Sequence, residues 1–266
     1  MKPGEWITKK LYKWVILYPL LRKIMNWLYF KILKMPQYHL GLSGKDIGEF
    51  ILLTEDPADV PRIASFLRDS REMAFHREYR TFTGLLDNQR VSVTSTGLGG
   101  PSAAIAIEEL SSIGAKVFIF LGKGHQANEI IQQDDLIIAK GAIRDEGTGD
   151  HYLPQAFPAV ADFQITTLLR NVCQENKIQY HVGVVYSKDA YYANNDLDQK
   201  FLAKLHENSL CMDMNSAACF IVSACIQTRM GVLLSANKPG TPVTESQIYV
   251  AIEALSRMIR QNKKIE

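Results

Sequence analysis

Between Val91 and Ser102 the chain reads Val-Ser-Val-Thr-Ser-Thr-Gly-Leu-Gly-Gly-Pro-Ser, the stretch around which the rest of the chain is organised. Its first half alternates β-branched and small residues, the pattern of a strand. Gly97, Gly99 and Gly100 then allow a sharp turn, and Pro101 suits the first turn of a helix reaching about Ile113. A strand, a glycine turn and a helix N-terminus leave unpaired backbone N–H groups pointing outward, which makes an anion-receptive corner. The same composition also makes purely structural turns, so the residues alone leave both readings open.

The rest of the chain repeats the strand-then-helix rhythm. Strands are expected at Phe50–Thr54, Val117–Leu121, Leu136–Lys140, Val182–Tyr186, Ser209–Met214 and Gly231–Ala236. Met73 to Thr83 leads to a hairpin turn at Asp87-Asn88. Helices are expected from about Ala58 to Leu67, Ala159 to Cys173, Ser216 to Gln227 and Thr244 to Arg260. The last of these carries Ile248, Ile252, Leu255 and Ile259 on one face. The order implies a mixed, mainly parallel sheet covered by helices on both faces. With 266 residues, 47% of them hydrophobic, one large α/β domain is the natural size. Cys173, Cys211, Cys219 and Cys225 show no paired spacing and read as buried free thiols of a reducing, cytoplasmic compartment. The acidic pairs Asp134-Asp135 and Asp145-Glu146 read as solvated charges.

Charge is unevenly placed. Residues 1–34 hold eight cations and one anion, a net +7, whereas the remainder holds 22 cations and 27 anions, a net −5. All three tryptophans, Trp6, Trp14 and Trp27, lie in this arm with Lys9, Lys10, Lys13, Arg22 and Lys23. Its longest uncharged run, Trp14 to Leu21, is interrupted by Pro19 and is too short to span a bilayer. Interleaved cations and aromatics suit an anionic membrane surface, at the inner face of a membrane, or a protein partner. The apolar run Val15-Ile16-Leu17 argues against nucleic acid. Residues 1–36 are therefore read as a basic, aromatic, amphipathic extension of a domain spanning 37–266.

Five segments carry a family resemblance. Ser-Thr-Gly-Leu-Gly-Gly-Pro-Ser followed by Ile107-Glu108-Glu109-Leu110 resembles a signature of the nucleoside phosphorylase superfamily, most of all its uridine phosphorylases. Tyr38-His39-Leu40-Gly41-Leu42, His76-Arg77-Glu78-Tyr79, Phe157 to Phe163, and Met212 to Ala217 agree with that family in the same order. The resemblance implies a three-layer α/β fold with a central mixed sheet flanked by helices. It also implies a homodimer or a hexamer. Glu78, Ser102 and the carbonyl of Leu98 match positions that hold a monovalent cation, potassium, at the dimer interface; no other cofactor is implied.

The resemblance also shows substitutions in the pocket. Phosphate-binding arginines of the family correspond to Asp59 and Phe120, a close-approach glycine to Glu55, and a phosphate-contacting threonine to Lys123. An anion 4 Å from phosphate costs about 1 to 4 kcal/mol. On the ribose side Met214 is kept, while two glutamates correspond to Asp213 and Asn215. The base-reading positions hold Asn195 and Leu197. His39 and Arg77 match residues that reach a neighbouring subunit. A vestigial pocket of His39, Asp56, Arg77, Lys123, Asn195, Asp213, Met214 and Asn215 is thus expected. From these losses the leading expectation is a non-catalytic scaffold or binding component of a membrane-associated assembly. The alternative is an active nucleoside phosphorylase or nucleosidase with altered phosphate and base recognition. A third reading is a pocket that binds a nucleoside as a signal without turnover.

Overall fold

A computed structural model describes residues 36–125, 128–192, 204, 207–237 and 240–262. The arm residues Trp6 to Trp27, and Asn195 and Leu197, lie outside the described residues. The element order is β1 (Phe50–Thr54), α1 (Asp59–Ala64), β2 (Arg68–His76), β3 (Tyr79–Leu86), β4 (Gln89–Ser95), α2 (Gly100–Ser112), β5 (Val117–Gly124) and β6 (Leu136–Asp145). It continues with β7 (Ala159–Val160), α3 (Phe163–Glu175), β8 (Tyr180–Lys188), β9 (Met212–Asp213), α4 (Ser216–Cys225), β10 (Arg229–Ala236) and α5 (Glu245–Asn262).

The strands form one sheet in the order β2-β3-β4-β1-β5-β10-β6-β8-β9, with β7 paired to β6. Strands β4, β1, β5 and β10 are mutually parallel, and β6 runs against β10. Alternation along the strands sorts the core into two layers. Ile51, Leu53, Phe118 and Phe120 pack on one face with α2 and α4. Phe50, Leu52, Val117, Ile119 and Leu121 pack on the other with α1, α3 and α5. This is the three-layer mixed-sheet architecture expected from the sequence.

Several elements differ from the sequence reading, each for a local reason. Strand β5 runs to Gly124 and is buried throughout, because Leu234, Ser235 and Ala236 of β10 stay in register with Gly122, Lys123 and Gly124. Lys123 is therefore inside the sheet and not on an exposed turn. Helix α3 starts at Phe163, where Asp162 caps it by accepting from the Ile165 N–H at 2.9 Å. Ala159 and Val160 instead pair with Ala142 and Gly141, and a Cβ on Gly141 would lie 2.9 Å from the Ala159 carbonyl oxygen. Strand β9 stops at Asp213, whose carboxylate takes the backbone N–H groups of Asn215 and Ser216. Cys225 is exposed, unlike the other three thiols. One member of each acidic pair is buried: Asp135 accepts from the Gln132 N–H and pairs with His181, and Glu146 accepts from the Gly149 N–H.

The segment before β1 is tied to α2 by one side chain. Glu109 accepts from the backbone N–H groups of His39 and Leu40 at 3.1 and 2.9 Å, and its Oε1 lies 2.6 Å from His39 Nδ1. Glu109→Ala removes an acceptor shared by three donors. It should destabilise the fold by about 1–3 kcal/mol and speed amide hydrogen exchange at residues 39–42. Unchanged exchange there would show that Leu40 and Leu42 alone hold the segment.

Candidate active site

The carboxyl ends of β1, β4, β5 and β10 meet at one edge of the sheet, and the glycine turn closes over them. Gly97 (φ 71°) and Gly99 (φ 92°) occupy left-handed backbone that other residues resist. The turn is tied down by the Thr96 and Gly97 N–H groups, which donate to the carbonyls of Thr54 and Glu55 at 2.8 and 3.1 Å. Helix α2 begins at Gly100 with no side-chain cap; Pro101 has no N–H and the Ala103 N–H donates to the Gly99 carbonyl at 3.2 Å, which leaves Gly100 and Ser102 as the first-turn N–H groups without an intrahelical acceptor. Gly100 is needed because a Cβ there would lie 2.8 Å from Thr148 Oγ1 and 3.1 Å from Ala218 Cβ.

Beneath the turn lies a buried charge cluster. Lys123 Nζ is 3.5 Å from Asp59 Oδ2 and 3.9 Å from Glu55 Oε2. Asp59 is held further by Arg62 Nη1 at 2.9 Å and by the Val243 N–H at 3.2 Å. Glu55 is less constrained: burial pushes its carboxyl up to about 7, against the opposing attraction of Lys123 and with Asp213 and Asp59 adding to the rise. The residues at the family's lost arginine and glycine positions therefore serve as counter-charges to Lys123. Phe120 is fully buried, and a Cβ on Gly122 would sit 2.5 Å from its ring.

The ribose side is built on Asp213. This buried carboxylate accepts from the Ser187 hydroxyl, from Ser216 Oγ and N–H at 2.7 Å each, and from the Asn215 N–H at 3.0 Å. Desolvation raises its pKa while these donors oppose the rise. Asn215 is thereby fixed at the start of α4, and its Oδ1 accepts from the Gly99 N–H at 3.2 Å. That bond decides the amide's orientation, because an N–H needs an oxygen opposite it. Asn215 Nδ2 is then a buried donor with no partner among the described residues. Met214 is half-buried beside it. Thr54 Oγ1 and Ser235 Oγ, on the last residue of β1 and the penultimate residue of β10, are likewise unpaired among the described residues.

The remaining expected residues fall in three places. Asp56 is exposed, and its carboxylate accepts from the Ala58 N–H at 2.8 Å, shaping the turn into α1. Arg77 is exposed at the β2–β3 turn with φ 57°. His39 sits at the α2 face, its carbonyl 2.7 Å from His76 Nδ1. Glu78 and Ser102 do converge: a Cβ on Gly97 would lie 2.8 Å from Glu78 Cγ and 3.3 Å from Ser102 Oγ, and Ser102 Oγ is 3.2 Å from the Leu98 carbonyl oxygen. Sequence reasoning did not single out His125 and Tyr191, whose rings meet edge to face at 5.5 Å next to the cluster.

Comparison with known proteins agrees with this geometry. The chain is 37% identical over 246 residues to a uridine phosphorylase of Treponema pallidum, covering 85% of this chain and 95% of that one. It is 47% identical over 156 residues to a uridine phosphorylase of Thermococcus kodakarensis, covering 59% and 56% of the two chains. A solved purine nucleoside phosphorylase of Toxoplasma gondii, in complex with immucillin-H, superposes with a TM-score of 0.79 at 26% identity over 85% of this chain and 97% of that one. Relatives named as phosphorylases at these identities overturn the expectation of a non-catalytic scaffold in a membrane-associated assembly. That expectation treated Asp59, Glu55 and Phe120 as pure losses, whereas the first two hold Lys123 in the pocket. No helix among the described residues is long and apolar enough to cross a membrane. A family model described as Phosphorylase superfamily matches residues 49–261, and the chain belongs to that superfamily.

Proposed function

We propose that the chain is a nucleoside phosphorylase with altered phosphate and base recognition, transferring the pentosyl group of a nucleoside to orthophosphate. The observation that carries this reading is the unpartnered Asn215 Nδ2, held by Gly99 and Asp213 beside a glycine turn and a buried lysine. An idle buried donor costs about 1–3 kcal/mol, and a ribose hydroxyl would satisfy it. Phosphate would take the first-turn N–H groups of α2 and the charge of Lys123. The C1′–N bond breaks with its electron pair leaving on the base, and a phosphate oxygen bonds to C1′. Positioning and electrostatics supply the acceleration.

Exposed Tyr38, Phe75, Leu98 and Arg77 suit contact with a second copy of the chain, so the working unit in this reading is a homodimer. A carboxylate, a carbonyl and a hydroxyl from Glu78, Leu98 and Ser102 are hard oxygen donors, and they would hold a monovalent cation such as potassium there. Residues 1–36 stand in this reading as an extension preceding the phosphorylase unit.

The test is release of free base from a panel of purine and pyrimidine nucleosides, with and without orthophosphate. Phosphate-dependent release, with pentose 1-phosphate formed in equal amount, is the expected result. Release independent of phosphate would replace the reading with hydrolysis. No release from a folded oligomer at high enzyme concentration would sink it.

A further inference from the structure

His125 follows directly on β5, two residues beyond Lys123. Its backbone N–H donates to the Met212 carbonyl and its carbonyl accepts from the Met212 N–H, both at 2.8 Å, which locks it to the strand leading into Asp213 and Asn215. The ring is buried and its Nδ1 lies 3.1 Å from the Asn237 carbonyl oxygen. A carbonyl only accepts, so Nδ1 carries the proton and the neutral ring presents Nε2 as an acceptor. Nε2 has no hydrogen-bond partner among the described residues. Burial lowers the pKa of the imidazole, with Lys123 acting in the same sense against the Asn237 carbonyl and Asp213. Both effects favour the neutral ring. Tyr191 stands edge-on to it at 5.5 Å and 86°, and Tyr192 packs on Tyr191 at 4.9 Å.

This places a fixed acceptor and an aromatic wall on the same strand end that delivers Lys123, one strand pairing away from Asn215. If the ribose lies on Asn215 and its C1′ faces the corner of Lys123 and Gly99, the base extends past the end of β5. An imidazole acceptor there pairs only with a base edge that donates. We infer that His125 reads the ring N–H of an oxo-base, N3–H of uracil or N1–H of hypoxanthine or guanine, with Tyr191 as the apolar wall. The inference rests on the phosphorylase reading, and it makes His125 a specificity-determining residue. A site built to bond a substrate N–H rejects the analogue lacking it far more strongly than an apolar pocket rejects an added methyl group.

The experiment compares uridine with N3-methyluridine, and inosine with N1-methylinosine, in two readouts: dissociation constants by calorimetry without phosphate, and kcat/KM with phosphate. Wild type should favour one unmethylated nucleoside over its methylated partner by at least about tenfold. His125→Ala removes the acceptor and opens space for the methyl group, so the ratio should fall to within about threefold. His125→Gln supplies an amide oxygen as substitute acceptor and should keep most of the discrimination. Equal losses for both members of each pair in His125→Ala, with the ratio unchanged, would show a structural ring and overturn the inference. So would a wild type that does not discriminate. Discrimination in binding without release of base would leave the reading of His125 standing while overturning the proposed transferase activity. Absence of binding to all four nucleosides would overturn both.

Discussion

Lys123→Met should lower kcat/KM for phosphate by about two to three orders of magnitude, the loss typical of removing a preorganised charge from a developing transition state. The same change leaves the Glu55 carboxyl buried 3.9 Å from a missing cation, while Asp59, 3.5 Å from it, keeps only its Arg62 and Val243 partners. Breaking a buried pair costs about 3–5 kcal/mol, so the single variant risks unfolding. The double variant Lys123→Met with Glu55→Gln removes one stranded charge and separates the two effects. It should fold and remain inactive. A folded double variant with near wild-type phosphorolysis would exclude Lys123 from the reaction. Glu55→Gln alone isolates the pH dependence. The Glu55 carboxyl sits at about 7 in the folded chain, above its ordinary value of 4.5, chiefly because of burial. Below pH 7 it is neutral and the Lys123–Asp59 pair faces the anion without net charge. Above pH 7 an extra negative charge opposes phosphate. Phosphate KM should therefore rise through pH 7 in wild type more steeply than in Glu55→Gln, where only the ionisation of phosphate itself remains. The stability linkage has the same direction. A raised carboxyl favours the fold fully below its unfolded pKa and loses that contribution as pH rises through 7. Glu55→Gln should accordingly be more stable than wild type at pH 8, by about 3 kcal/mol, as read by urea unfolding.

The parts legible from the sequence were those set by local pattern. The alternation of Val91 to Ser95 and the glycines at 97, 99 and 100 announce the strand, turn and helix that appear as β4 and α2. The positive φ of Asp87 and Asn88 confirms the hairpin their identities suggest. What escaped was set by contacts across long separations. Nothing near Gly122-Lys123-Gly124 says that β10 will carry β5 three residues further, yet that pairing buries Lys123 within the sheet. Asp59 and Glu55 looked like broken phosphate ligands because they were weighed against phosphate alone. With Lys123 buried between them they become its counter-charges, and the reading of a dead pocket loses its basis. His125 escaped because its meaning depends on the Asn237 carbonyl, 112 residues away.

Asp213→Ala should be the most damaging single change to the architecture of the pocket. The side chain receives four donors from Ser187, Asn215 and Ser216, and none of these reaches solvent. Two are backbone N–H groups at the start of α4 that cannot turn elsewhere. Leaving them unsatisfied costs about 1–3 kcal/mol each, partly offset because a buried carboxylate no longer has to be desolvated, the effect that raises its pKa. A net loss of at least about 3 kcal/mol is expected. Asp213→Asn offers a sharper comparison. Its amide oxygen can stand where Oδ2 accepts from Ser216 and Asn215, while its Nδ2 can donate to Ser187 Oγ, which already accepts from the Ala217 N–H at 3.0 Å and has a second lone pair. The Asn variant should thus unfold within about 1–2 kcal/mol of wild type. Catalysis in the two variants follows from the same geometry. Asn215 is aimed by its own N–H on Asp213 and by its Oδ1 on Gly99. Asp213→Asn should retain most of kcat, and Asp213→Ala, measured where it is still folded, should lose it by more than about tenfold through misplacement of Asn215. Equal stability of the two variants would mean that the carboxylate's charge, and not its acceptor geometry, anchors α4.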